Sequence, residues 1–175
     1  MAGQTLPNPP LLAVDTNVLI DRAARGETVL DCFATIRRKL PNAPIIVLPT
    51  VIAELADIAA EGESERAKRL AIIALRSIRS PWGLKPINYV PVGHGIVEET
   101  ARKIRAAGLI PDAEINDSLI VAEAALANIT VLLSSDAHLT GIDRAQLQRL
   151  LERCDLAGPV IASPWKIVYE FFNSA

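Results

Sequence analysis

Four carboxylates stand beside apolar runs, and together they suggest a chemistry. Asp15 closes the run Leu11-Leu12-Ala13-Val14 and leads into Thr16-Asn17, while Asp136 follows Val131-Leu132-Leu133-Ser134-Ser135. Each reads as the end of a buried strand, a polar turn and then a helix. Glu54 lies early in a helix that follows Pro44-Ile45-Ile46-Val47-Leu48, at the margin of the apolar side formed by Val51, Leu55 and Ile58. Asp117 shares a helix side with Ile120, Val121 and Ala124 and has no basic residue within a turn. Taken singly, each acid could be a helix cap or a first-turn acid favoured by the helix dipole. Taken together they are three aspartates and a glutamate with no histidine or cysteine among them, hard oxygen donors that suit Mg²⁺ or Mn²⁺. Converging carboxylates repel one another, and a divalent ion relieves that repulsion. Such a site fits phosphodiester hydrolysis, in which ions about 3.5–4 Å apart make a water nucleophilic and stabilise the leaving oxygen.

Around these four, Thr16, Asn17 and Ser134 are uncharged groups able to orient carboxylates or water. Glu114, one turn before Asp117, is a helper or substitute. Asp112 reads as the cap of the Asp117 helix and Thr50 as the cap of the Glu54 helix. Glu123 is expected to point away from Asp117 into solvent, and Asp21 to be either peripheral or an outer partner of the site.

The elements that must position these groups follow from apolar periodicity. Strands are expected near 11–15, 43–48, 129–133 and 160–162, with a further short one inside 87–92. Helices are expected from about Asn17, then over 27–40, from Pro49-Thr50, and over 61–80, 96–107, 112–128, 143–154 and 165–172. The helix over 112–128 is apolar nearly all round, which argues for deep burial. Strands alternating with helices predict a three-layer α/β/α sandwich with a central, mainly parallel sheet. Residues 1–10 read as a polar, proline-rich tail and 11–175 as one domain.

Composition narrows the class. Only 4% of the 175 residues are aromatic, so the core is aliphatic and alanine-rich. The net charge of −2 gives no global signature of nucleic-acid binding, so any such partner needs a local basic patch. Arg37-Arg38-Lys39, Arg66-Lys68-Arg69, Arg76-Arg79 and Arg102-Lys103-Arg105 are the candidates, each otherwise an ordinary solvated helix face. Trp82 and Tyr89 are the pair to consider for base stacking, whereas Trp165, Tyr169, Phe171 and Phe172 are expected to pack. Cys32 and Cys154 lack metal or redox spacing and read as buried free thiols in a reducing compartment. No apolar run approaches a membrane span and no signal-like pattern opens the chain, so a cytoplasmic location without membrane partners is expected.

The constellation resembles the PIN-domain nucleases, including the toxin ribonucleases of VapBC toxin–antitoxin modules. Asp15-Thr16-Asn17-Val18-Leu19-Ile20-Asp21 is similar to the family's opening motif, and Pro49-Thr50-Val51-Ile52-Ala53-Glu54-Leu55 to its glutamate helix. Asp117-Ser118-Leu119-Ile120-Val121-Ala122-Glu123-Ala124 resembles the third motif, and Leu132-Leu133-Ser134-Ser135-Asp136 the fourth. Pro159-Val160-Ile161-Ala162-Ser163-Pro164-Trp165 is similar to the closing strand and proline-led helix. The resemblance implies a PIN-like fold and Mg²⁺- or Mn²⁺-dependent cleavage of single-stranded RNA by Asp15, Glu54, Asp117 and Asp136. It also implies homodimerisation and, in toxins, inhibition by an antitoxin that covers the acidic cleft. The interval of 63 residues between Glu54 and Asp117 is long beside compact toxin members. Two other classes compete: a non-catalytic PIN-like RNA- or protein-binding module with a vestigial site, and a haloacid-dehalogenase-like phosphatase, whose second aspartate would stand where this chain has Asn17.

Overall fold

A computed structural model describes residues 9–87 and 95–173, the last three of these by backbone alone. The chain opens with strand β1 (Leu12–Val14), helices α1 (Thr16–Ala23) and α2 (Glu27–Lys39), and strand β2 (Ile45–Val47). Helices α3 (Pro49–Glu61) and α4 (Glu65–Ser77) lead to the short strand β3 (Lys85–Pro86). Helices α5 (Ile96–Ala106) and α6 (Ile115–Leu126) precede strand β4 (Val131–Leu133). Helices α7 (Ala137–Thr140) and α8 (Arg144–Glu152), strand β5 (Val160–Ala162) and helix α9 (Pro164–Asn173) complete it.

The strands form a parallel sheet in the order β3-β2-β1-β4-β5, sandwiched between helical layers as the alternating pattern predicts. Strand β1 lies at the centre, where Val14 registers with Val47 on one side and Leu133 on the other. The chain first builds outward through β2 and later returns to the other flank, so β1 is the topological switch point. In such sheets the crevice beyond the carboxyl ends of the strands is where ligands bind. The rims are β3, which contains Pro86, and β5, which Pro159 immediately precedes. The core is aliphatic, with Leu12, Val14, Ile46, Val47, Leu132 and Leu133 supplied by the strands and Leu19, Ile36, Leu55, Ile104 and Ile120 by the helices.

Helix ends explain where prediction and structure part. Thr50 does not cap α3: that helix begins at Pro49, and its N-cap, Leu48, has no side-chain cap bond. Proline is pre-shaped for a first helical position and has no N–H to leave unpaired, so the helix starts one residue early. Asp112 likewise is not the cap of α6, which starts only at Ile115 behind Glu114. The segment expected as one helix over 61–80 is instead the end of α3, a break at Gly62, and α4, which Ser64 caps by accepting from the Ala67 amide. Gly108, at φ 70°, stops α5. The strand expected inside 87–92 begins earlier, at Lys85, and Ile87 still donates to the Val47 carbonyl; Tyr89 and the rest of that stretch lie outside the described residues.

Trp82 is not a free stacking platform. Its ring and that of Phe33 sandwich the Arg22 guanidinium, at 4.6 and 3.9 Å from the two centroids, and its carbonyl accepts from Arg37. Conversely Trp165 and Tyr169, expected to pack, are 62% and 54% exposed and stack on each other with centroids 5.0 Å apart. The cysteines differ too. Cys32 is buried and burial pushes its thiol up to about 12, whereas Cys154 is half-buried beside the Lys103 ammonium. A thiolate is the reactive form, so an aromatic disulfide reagent titrates one thiol rapidly in the native protein and the second only after denaturation; two rapid thiols would contradict this burial.

Candidate active site

Asp15 ends the central strand and begins α1. Its Oδ1 accepts from the Thr16 amide at 2.6 Å, so it caps the helix as well as closing the strand. Its Oδ2 accepts from the Ser134 hydroxyl at 2.7 Å. The same Ser134 oxygen accepts from the Asp136 amide at 2.9 Å, so one buried serine at the end of β4 ties the two aspartates of neighbouring strands together. Asp136 caps the short α7 through the His138 amide, and Asn17 accepts from the Ser135 amide, bracing the same turn. The capping reading and the cavity reading therefore hold at once for Asp15 and Asp136.

Glu54 is held from two sides. The Thr16 hydroxyl donates to Oε2, and the Asn116 amide donates to Oε1 at 2.9 Å. Asn116 was not anticipated from the sequence: its partner is 62 residues away, and it stands next to the more conspicuous Asp117. Asp117 sits in the first turn of α6. Glu114 lies outside the cavity lining and acts on Asp117 through its charge.

Asp15, Glu54, Asp117 and Asp136 line one cavity of about 330 Å³, together with Thr16, Asn17, Ile20, Asp21 and Ile58. Asp21, expected at the periphery, is exposed yet reaches this wall. Asp15 is only 3% exposed, and burial pushes its pKa up to about 6; bonds from Ser134 and Thr16 lower it, and the charges of Glu54 and Asp136 raise it. Burial also leads the rise of Asp117 to about 7, followed by the charges of Asp15, Asp136, Glu114 and Glu54. Among the described residues none of the four joins an ion pair. Arg102 and Lys103 instead engage Glu99 on the surface, and Arg105 donates to Ser118, so these members of that basic cluster are paired within the chain.

Among the described residues, no three Asp, Glu, His or Cys side chains are gathered closely enough to hold an ion as they stand. The chemistry of the donor set nevertheless fits a hard divalent cation. The cavity donors are all oxygen, the charges reinforce one another, and each carboxylate oxygen that accepts a hydrogen bond keeps a second lone pair. Burial, together with the neighbouring carboxylates, holds Asp15 and Asp117 above the usual carboxylate range, and a bound cation would oppose that rise.

Glu123 corrects another expectation. It is buried, not solvated, and its carboxylate accepts from the amide and hydroxyl of Thr50. The neighbouring helix α3, rather than water, covers it.

Comparison with known proteins agrees with this architecture. The structure superposes on that of VapBC2 from Rickettsia felis bound to a DNA fragment from their promoter, with a TM-score of 0.58, 16% identity, and coverage of 87% of this chain and 98% of that one. It superposes also on FitAcB from Neisseria gonorrhoeae, with a TM-score of 0.52, 17% identity, and coverage of 88% and 98%. At such identities the likeness is one of fold. No curated protein sequence matches the chain. The family model of the PIN domain matches residues 12–145, which include all four acids and four of the five strands. By that match and by the order of its sheet, this chain belongs to the PIN-domain family.

Proposed function

We propose that the chain is a metal-dependent endoribonuclease, one domain over residues 11–175, that hydrolyses phosphodiester bonds of single-stranded RNA at Asp15, Glu54, Asp117 and Asp136. The observation that carries this reading is the convergence of four acids from four elements on one cavity at the carboxyl edge of the sheet, without an internal cation partner among the described residues. Mg²⁺ or Mn²⁺ bound there would supply Lewis-acid activation of water and charge stabilisation of the leaving oxygen. The chain's own share is placement. Ser134 holds Asp15 against the Asp136 turn, Thr16 and Asn116 fix the Glu54 carboxylate, and Asn17 braces Ser135.

The family and the VapBC2 and FitAcB superpositions support a toxin reading, in which a small antitoxin covers the acidic cavity and the protein forms a homodimer. Purified protein incubated with unstructured RNA is expected to cleave it with Mg²⁺ or Mn²⁺ and to stop in EDTA. Cleavage should weaken steeply with added salt, because phosphate contacts release counterions. Equal cleavage in EDTA and Mg²⁺ would exclude the mechanism. No cleavage under any condition, with no Mn²⁺ binding by calorimetry, would identify a binding module with a vestigial site.

A further inference from the structure

Among the described residues two carboxylates are buried, Asp15 and Glu123, and the second lies outside the acid cavity. A buried carboxylate is costly unless its lone pairs are engaged. Glu123, 6% exposed on α6, meets that need on the neighbouring helix. Its Oε1 accepts from the Thr50 hydroxyl at 2.7 Å, and the Thr50 amide lies 3.1 Å from Oε2 and 3.3 Å from Oε1. Thr50 is the second residue of α3, a helix whose own N-cap position holds a leucine. The cap that α3 lacks locally is therefore delivered by α6, where a negative charge also complements the helix dipole.

The position of this contact matters as much as its strength. Glu54 lies four residues after Thr50, one turn along the same face of α3. Asn116 lies seven residues before Glu123, two turns along α6, and donates to Glu54. The two helices are thus joined at two separated points, Glu123 to Thr50 and Asn116 to Glu54. Two rods joined once can pivot; joined twice, they cannot slide or turn against each other. What the double joint holds constant is the placement of Glu54 relative to Asp117, which sits beside Asn116.

We propose that Glu123 is a positioning residue for the acid cavity, capping α3 from α6 through Thr50 and thereby fixing where Glu54 stands against Asp117. The inference rests on the reading of the cavity as a divalent-metal site. Its test is Mn²⁺ affinity of the folded protein, measured by calorimetry or by electron paramagnetic resonance, with folding checked by circular dichroism. Glu123→Ala should weaken Mn²⁺ binding about tenfold, the scale on which an outer partner of a metal ligand acts. Thr50→Val, which keeps the amide bond, should weaken it less. Glu123→Gln should restore near-native affinity, because its Oε1 can still accept from both Thr50 donors. In a Glu54→Gln background, already weakened, Glu123→Ala should add no further loss, since its route of action is gone.

Native Mn²⁺ affinity in a folded Glu123→Ala protein would overturn the proposal. So would losses that multiply fully in the double variant, because they would mark a general stabilising role. If Glu123→Ala does not fold, the milder Thr50→Val protein carries the same test, alone and in the Glu54→Gln background. Failure of the underlying reading is visible separately, as absence of Mn²⁺ binding in the unaltered protein.

Discussion

Asp117→Asn should make the metal-free protein more stable at pH 8 while lowering RNA cleavage by on the order of 10³-fold, since losing even an outer partner of a metal ligand costs 10- to 100-fold. The two effects have one origin. Asp117 is half-buried among four other acids, and burial, then the charges of Asp15, Asp136, Glu114 and Glu54, hold its pKa at about 7. At pH 8 its charge is a liability in the absence of a cation, and asparagine removes it at nearly constant shape. Discounted for its partial exposure, the gain is about 1–2 kcal/mol, or several degrees in Tm for a domain of this size. Thermal melts in EDTA and a cleavage assay in Mn²⁺ check both halves. A variant that is destabilised at pH 8, or that cleaves like the unaltered protein, would show that Asp117 is an ordinary packing residue.

The second large effect is a stability that falls with pH until a divalent ion is added. For a carboxyl group whose folded pKa is raised, the folded state binds the proton more tightly than the unfolded chain. Its contribution is fully present below the unfolded value and disappears as pH rises through the folded one. For Asp15 that window runs from 3.8 to about 6, and for Asp117 from 3.8 to about 7. The loss attached to Asp15 alone is on the order of 3 kcal/mol, and the two losses are coupled, not additive. Glu99 and Asp143, whose pKa values are lowered, contribute stability that is lost only as pH falls below the ordinary carboxylate range, outside this window. Metal-free protein should therefore melt at progressively lower temperature between about pH 4 and pH 7 and level off above that. Mn²⁺ at a hundred times its Kd should restore about 2.7 kcal/mol at pH 8, roughly 5–10 °C in Tm. A Tm that is flat across this range, or unmoved by Mn²⁺, would sink the expectation.

The sheet and the acids at its edge were legible in the sequence because both are written locally. Runs such as Val131-Leu132-Leu133 and Ile45-Ile46-Val47 are too apolar and too short for anything but buried strands, and behind β1 and β4 an acid close to the strand marks its end. Burial of nearly every side of α6 was legible for the same reason. What escaped depends on partners far along the chain. Thr50 looked like a cap because Thr is a good one, but Pro49 took the first helical position and Thr50 became a donor to Glu123 instead. Asn116 and Glu123 serve a helix more than 60 residues away, and no spacing rule within α6 reports that. Trp82 and Trp165 exchanged their expected places because an aromatic residue's fate depends on which neighbour arrives. Arg22 reached Trp82, whereas Tyr169, on the same helix, is what Trp165 meets.

The proline-bearing rims of the sheet bear on how this protein can associate. Ile87 directs its N–H inward to Val47, so the alternate position, Pro86, faces outward and has no N–H to offer. At the opposite rim Val160 bonds inward to Thr130, and of the outward positions flanking it Pro159 is equally mute, leaving Ile161 as the outward donor within β5. Among the described residues, neighbouring chains thus find few backbone donors along either border, and intermolecular strand addition there is discouraged where open parallel sheets are most vulnerable. Recognition by another polypeptide, whether a twin subunit or an inhibitor, must then be written in side chains on the helical layers. The folded molecule should be a poor seed for cross-β growth.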